Sequence, residues 1–184
     1  MKKRYNKMNL LILKALRFFV ENPYREVYLR EFVRELKISP NTAQRFLDLF
    51  VKENLLKEKR KANLRYFKAN LENKVFRYIK ITFSIKNIMD SGLIDYLKKE
   101  KFSNVVLFGS VAKGEDDDRS DIDLVCIGSK KRLELEKFYN KLKREINVHI
   151  FTLAEWKRQK QENKAFYQDV ISTGINLVGE MPLV

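Results

Sequence analysis

The sequence is poor in residues that cross-link or interrupt a chain: its 184 residues include one cysteine, three prolines and six glycines. The lone Cys126 excludes an intramolecular disulfide and is compatible with a reducing cytoplasm. It sits in an apolar run, which fits a small buried core residue better than a nucleophile. No internal repeat and no low-complexity segment is present. Long apolar runs are missing too. The most apolar N-terminal stretch, Leu10 to Val20, is too short for a bilayer and carries Lys14 and Arg17. With no signal peptide either, the expectation is a soluble cytoplasmic protein without a membrane partner.

Acidic residues are scarce in one part only. Residues 1–70 hold 18 Lys and Arg against 7 Asp and Glu, a net of +11, whereas residues 71–184 hold 20 against 17, a net of +3. Most of the field that would attract a polyanion therefore belongs to the N-terminal part. What is abundant is apolar residues, 45% of the chain, enough for one or two small domains with real cores.

Leu10, Leu13, Leu16 and Val20 recur at helical spacing, and Asn22-Pro23 stops that helix. Leu29, Phe32, Val33 and Leu36 mark a second helix. Ser39 suits an N-cap and Pro40 the first position of a third helix, whose buried face is Ala43, Phe46, Leu47 and Phe50. Leu55 to Arg60 and Leu64 to Ala69 read as two strands around a Lys61-Ala62-Asn63 turn. Three helices and a hairpin in this order resemble a winged helix-turn-helix domain. The resemblance implies double-stranded DNA as partner, with the third helix in the major groove and the hairpin against the backbone. Asn41, Thr42, Gln44 and Arg45 would then face base edges, and Lys57, Lys59, Arg60, Lys61 and Arg65 would lie near phosphates. The alternatives are that these polar residues are simply the solvated face of an amphipathic helix, or that the domain serves as a protein-docking module.

Residues 71–92 carry two signals. Ile79, Ile81, Phe83 and Ile85 alternate with polar residues as in a strand, while Asn70 as a cap, a helix-forming start and the length favour a connecting helix. The helix is the reading adopted, ending near Asp90-Ser91-Gly92, with the apolar 75–89 stretch packed at a domain or subunit interface. A short helix (Leu93 to Glu100) follows. Then come a strand (Val105–Phe108), a glycine turn with a short helix, an acidic loop and a strand (Ile122–Ile127). A helix (about Lys130–Arg144), a strand (Ile146–Phe151), further helices and a short closing strand (Ile175 to Val178) complete the order.

Chemistry concentrates between residues 108 and 124. Phe108-Gly109-Ser110-Val111-Ala112-Lys113-Gly114 is followed by the acidic run Glu115 to Asp118, then Ser120-Asp121-Ile122-Asp123-Leu124. Alternation along a strand turns Asp121 and Asp123 to one face and sends Ile122 and Leu124 into the core. Two carboxylates so close repel each other unless a cation lies between them. Hard oxygen ligands on a rigid strand suit Mg²⁺, which takes waters and phosphate oxygens as its other ligands. Gly109 lets backbone approach a phosphate closely, and Ser110 at the start of a short helix offers a hydroxyl and free N–H groups, or serves as its N-cap. Lys113 is a candidate cation for the outer phosphates, Ser120 orients backbone or a carboxylate, and the acidic run reads as a solvated loop.

Gly-Ser, ten residues, then Asp-x-Asp is the pattern of the DNA polymerase β superfamily of nucleotidyltransferases, and its neighbourhood resembles the MNT-type minimal members over about residues 93–180. The resemblance implies an α/β nucleotidyltransferase domain with a small mixed sheet at 93–184, which with the winged helix at 1–70 and the connecting helix at 71–92 makes a mixed α+β chain. It further implies Mg²⁺, ATP or another nucleoside triphosphate, and transfer of a nucleoside monophosphate to a hydroxyl. MNT-type relatives are associated with antitoxins of HEPN-class toxins, so a protein acceptor is one option beside a small molecule or an RNA end; a homodimer is a further expectation, by analogy with winged-helix proteins. Active members add a third carboxylate from the next strand. Here that strand is Ile146-Asn147-Val148-His149-Ile150-Phe151, and the expected acid is replaced by His149, or by Asn147 if the register slips, with Glu145 at the edge. His149 could ligate a metal or accept a proton. Three functions thus compete: a transferase, a DNA-binding regulator that senses nucleotide, and a toxin-neutralising binding protein.

Overall fold

The computed structural model describes residues 2–117 and 119–184, with side chains for residues 10–117 and 119–184. The chain divides into two compact units, Met1–Lys80 and Ile81–Val184. The first runs α1 (Lys2–Glu21), β1 (Val27–Tyr28), α2 (Leu29–Leu36), α3 (Pro40–Lys52), β2 (Leu56–Lys61) and β3 (Leu64–Ala69). The division into units falls inside α4 (Lys74–Asp90).

Local chemistry sets the ends of α3. Ser39 caps it by accepting from the Thr42 N–H at 3.2 Å, and Pro40 takes the first helical position, where no N–H is needed. Its buried residues are Ala43, Phe46, Leu47 and Phe50, the face the spacing predicts. They pack with Phe19 and Phe32, whose ring centroids are 5.2 Å apart. Among the described side chains of α1 the fully buried ones begin at Ala15, with Leu11 and Ile12 half-buried; Leu10 and Leu13 keep helical spacing yet are exposed. A second feature absent from the sequence reading is β1, which pairs antiparallel with β3 and makes a three-stranded sheet in the order β1-β3-β2. The turn between β2 and β3 is tighter than expected. Lys61 pairs with Leu64, leaving Ala62 and Asn63 as the loop, with Ala62 at a left-handed φ of 50°.

The cap of α4 is Asn73, not Asn70: the Asn73 Oδ1 accepts from the backbone of Val75 and Phe76. Asn70 is buried and donates its amide to the Asn54 carbonyl and side chain.

The second unit continues with α5 (Leu93–Lys99), β4 (Asn104–Phe108), α6 (Gly109–Lys113), β5 (Ile122–Ile127) and α7 (Glu136–Leu142). It ends with β6 (Ile146–Phe151), α8 (Leu153–Glu162), α9 (Lys164–Thr173) and β7 (Ile175–Val178). Its mixed sheet has the order β6-β5-β4-β7, with β5 and β6 parallel and the other pairs antiparallel. Alternating residues bury both faces. Val105, Leu107, Leu124 and Cys126 pack on one side with Leu97 and Phe138, while Val106, Val125 and Ile127 pack on the other with Trp156 and Val170. Burial pushes the Cys126 thiol up to about 12, so it is inert at neutral pH.

Helix α7 is shorter than the expected Lys130–Arg144. Residues 129–135 are non-helical: the Tyr96 hydroxyl accepts from the Glu134 N–H at 3.0 Å, and the Lys131 side chain reaches out of the segment to donate to the Glu100 carbonyl at 2.7 Å. No helix of the described residues is long and apolar enough to cross a membrane.

Candidate functional site

Strand pairing builds the site. Phe108, the last residue of β4, lies opposite Asp123 on β5, so the chain turns into α6 directly beside that carboxylate. Gly109 makes the turn with φ +73°, and a Cβ there would lie 2.5 Å from the Asp123 Oδ2. Only glycine meets both demands. Ser110 is the second residue of α6, whose N-cap is Phe108 with no side-chain bond, so Ser110 is not the cap that its position suggested.

Asp121 and Asp123 turn to the same side, as strand alternation requires. Both accept from one amide: the Asn147 Nδ2 donates to Asp121 Oδ2 at 3.0 Å and to Asp123 Oδ1 at 3.2 Å. The two carboxylates converge beside the Gly109 bend, and neither forms a salt bridge among the described residues. Among those residues no group of three or more His, Cys, Asp or Glu could hold a metal; here two acids are joined by an amide.

The register corrects the place given to His149. Asp123 pairs with Asn147, whereas His149 pairs with Val125, one step further along the same face. The His149 ring packs against Phe108 and Phe166 at centroid distances of 5.6 and 5.5 Å. Asn147 therefore stands where the third acid was expected. No local signal in the sequence distinguishes the two, because both lie on one face of β6.

Lys113 and the acidic loop also depart from expectation. The Lys113 Nζ lies 2.6 Å from Asp169 Oδ1 on α9, tying α6 to that helix. Asp116 is buried, not solvated, and pairs with Arg144 at 2.9 Å. Arg144 also donates to the Ser120 and Asp117 carbonyls at 2.6 and 3.0 Å. Ser120 donates its hydroxyl to the Asp117 carboxylate and accepts from the Asp117 N–H. That hydroxyl, aided by the Arg119 N–H, holds the Asp117 carboxyl below its usual range. Ser120 and Arg144 thus shape the loop that delivers Asp121; Asp118 lies outside the described residues. Arg144 and Asp169 escaped the sequence reading, since their partners are 28 and 56 residues away.

In the first unit Asn41 and Arg45 are exposed on α3, with Thr42 and Gln44 half-buried beside them. Thr42 shares a hydrogen bond with Ser39, and Gln44 donates to Asp48. On the hairpin, Lys59 and Arg60 are exposed. Four of the cations expected near phosphates also meet carboxylates: Lys57 pairs with Glu72, Lys61 with Glu26, Arg65 with both Glu58 and Asp48, and Arg60 approaches Glu58 at 3.8 Å. Arg65 turns inward because the bidentate fork to Glu58, at 2.6 and 2.7 Å, is a better partner than water.

Residues 91–181 match the family model described as polymerase beta nucleotidyltransferase, a span that holds Gly109, Asp121, Asp123 and Asn147. No curated protein matches the chain.

Proposed function

We propose that this polymerase-β-type domain is a metal-dependent nucleotidyltransferase, moving a nucleoside monophosphate from a triphosphate, with ATP the first candidate, to a hydroxyl acceptor. The observation that carries the reading is the convergence of Asp121 and Asp123 on one point beside a bend where Gly109 leaves no side chain. Oxygen donors on and just before a rigid strand, next to open backbone, fit Mg²⁺, so Asp121 and Asp123 would hold it, and it would neutralise charge on the phosphates. Gly109 and Ser110 would face the triphosphate with backbone N–H groups and a hydroxyl. The acceptor oxygen bonds to the α-phosphorus, the bond to the bridging oxygen breaks, and pyrophosphate leaves. The hydroxyl proton passes to a carboxylate of the pair or to water.

The first unit fits a winged-helix DNA-binding module. Its element order, its net +11 and the exposed Asn41, Arg45, Lys59 and Arg60 support that reading.

One observation favours a second reading, a DNA-binding regulator that senses nucleotide: a neutral amide stands where an acid would help activate the acceptor. Incubation with α-labelled ATP and Mg²⁺, with RNA ends, small hydroxylated molecules and HEPN-class proteins as acceptors, decides between them. Transfer that disappears in Asp121→Asn supports the enzyme. Nucleotide binding with no transfer to any acceptor supports the sensor.

A further inference from the structure

We propose that Asn147 is a third, neutral ligand for a single divalent cation, and that it presents opposite ends of its amide with and without the ion. The inference rests on Asp121 and Asp123 being metal ligands. An asparagine amide has two N–H donors on its nitrogen and two acceptor lone pairs on its oxygen. In the structure the nitrogen faces the acids, at 3.0 Å from Asp121 and 3.2 Å from Asp123. Its two hydrogens match two carboxylate oxygens, so the amide does in part what a cation would do: it relieves the repulsion between like charges.

That orientation is wrong for a metal, because N–H groups repel a cation. The final torsion of asparagine is broad and nearly two-fold, so a half-turn exchanges nitrogen for oxygen without moving the strand. Asn147 stands opposite Asp123 on β6 and is exposed, so neither the register nor packing opposes the turn. His149, the next outward residue of β6, has its ring held by Phe108 and Phe166.

The consequence is a set of three oxygen donors with charge −2, which one divalent ion neutralises. A second ion would meet a set of donors with no net charge left to neutralise it. A site of this kind is braced before the metal arrives, whereas three acids at the same points would need the metal to hold together.

The test uses the full chain and Mn²⁺ alone, counted by electron paramagnetic resonance, with Mg²⁺ in parallel NMR. Wild type is expected to bind one Mn²⁺, Asn147→Ala to bind it about tenfold more weakly, and Asn147→Asp to bind it more tightly and accept a second ion. In wild type the Asn147 side-chain N–H₂ signals should shift on Mg²⁺ addition and exchange faster with water, since they lose their carboxylate acceptors. Equal or tighter Mn²⁺ binding by Asn147→Ala, or N–H₂ signals unmoved by Mg²⁺, overturns the proposal; the NMR arm needs no variant to fold. Asp123→Asn separates the two levels. If it abolishes binding while Asn147→Ala does not weaken it, only the role of the amide falls. If wild type binds no Mn²⁺, the carboxylate site falls with it.

Discussion

Each unit carries a cluster of charged side chains beside a β-strand, and the two clusters are built on opposite plans. In the first, Arg65 on β3 is clasped by Glu58 from β2 and Asp48 from α3. In the second, Asp121 and Asp123 lie side by side with only the neutral Asn147 between them. The first cluster closes on itself and has its partners already. The second keeps two like charges together, which lowers stability unless something cationic arrives. The contrast is between a cluster whose charges are paired within the protein and one whose like charges share a neutral amide.

The largest effects should come from the open cluster. Asp123→Asn removes one of the two neighbouring charges and, on the proposed function, one metal ligand. Transfer should drop by about 10³-fold, because metal-assisted charge stabilisation contributes several kcal/mol to such steps. The melting temperature should stay level or rise. Transfer at the wild-type rate, or a variant that fails to fold, would break the contrast. Next in size is Arg144→Ala. It strips the buried Asp116 of its guanidinium and frees two loop carbonyls, at a cost of about 3 kcal/mol in a denaturant melt. A loss well under 1 kcal/mol would show that the loop stands without this anchor. Gly109→Ala follows, at about 1–3 kcal/mol, since a Cβ meets both a left-handed φ and the Asp123 carboxylate. Unlike Asp123→Asn it should lower stability and metal binding together; unchanged stability would mean that the bend is not constrained as drawn.

What was legible in the sequence was local. The Ser39-Pro40 start of α3, its buried face, and the Gly109-Ser110 and Asp121–Asp123 spacings are set by neighbours within a few residues. Strand β1 was not visible because two residues carry no periodicity, and it exists only through pairing with β3. The start of α7 was misplaced because residues 129–135 are tied to distant partners, Glu134 to Tyr96 and Lys131 to Glu100. Register was the costliest gap. Asn147 and His149 share a face, and only the pairing of Ile122 with Ile146 shows which of them stands opposite Asp123. The same limit hid the partners of Lys113 and Arg65: charge is readable from a sequence, but the residue that neutralises it is not.

The smallest effects test the closed cluster against the cations beside it. Arg65→Ala leaves Glu58 and Asp48 facing each other and should cost about 1–2 kcal/mol, the scale of a partly exposed, bidentate pair. The Arg65 guanidinium holds the Glu58 carboxyl below its usual range, and the Gln44 amide, with Arg65, does the same for Asp48. A carboxyl lowered in the folded state contributes stability above its unfolded value, near pH 4, and that contribution is lost as pH falls toward the folded value. The wild type should therefore lose stability below about pH 4 more steeply than Arg65→Ala, which lacks the Arg65 share of this contribution and keeps only what Gln44 gives Asp48. Lys59→Ala and Arg60→Ala should behave in the reverse manner. Both side chains are exposed, and the nearest carboxylate to Arg60 is 3.8 Å away, so stability should change by no more than about 0.5 kcal/mol. Each should instead lower the slope of DNA affinity against salt by about one, the mark of a lost phosphate contact. If Arg65→Ala flattened the salt dependence while Lys59→Ala left it alone, Arg65 would leave its carboxylates for DNA, and a closed cluster could no longer be equated with a brace.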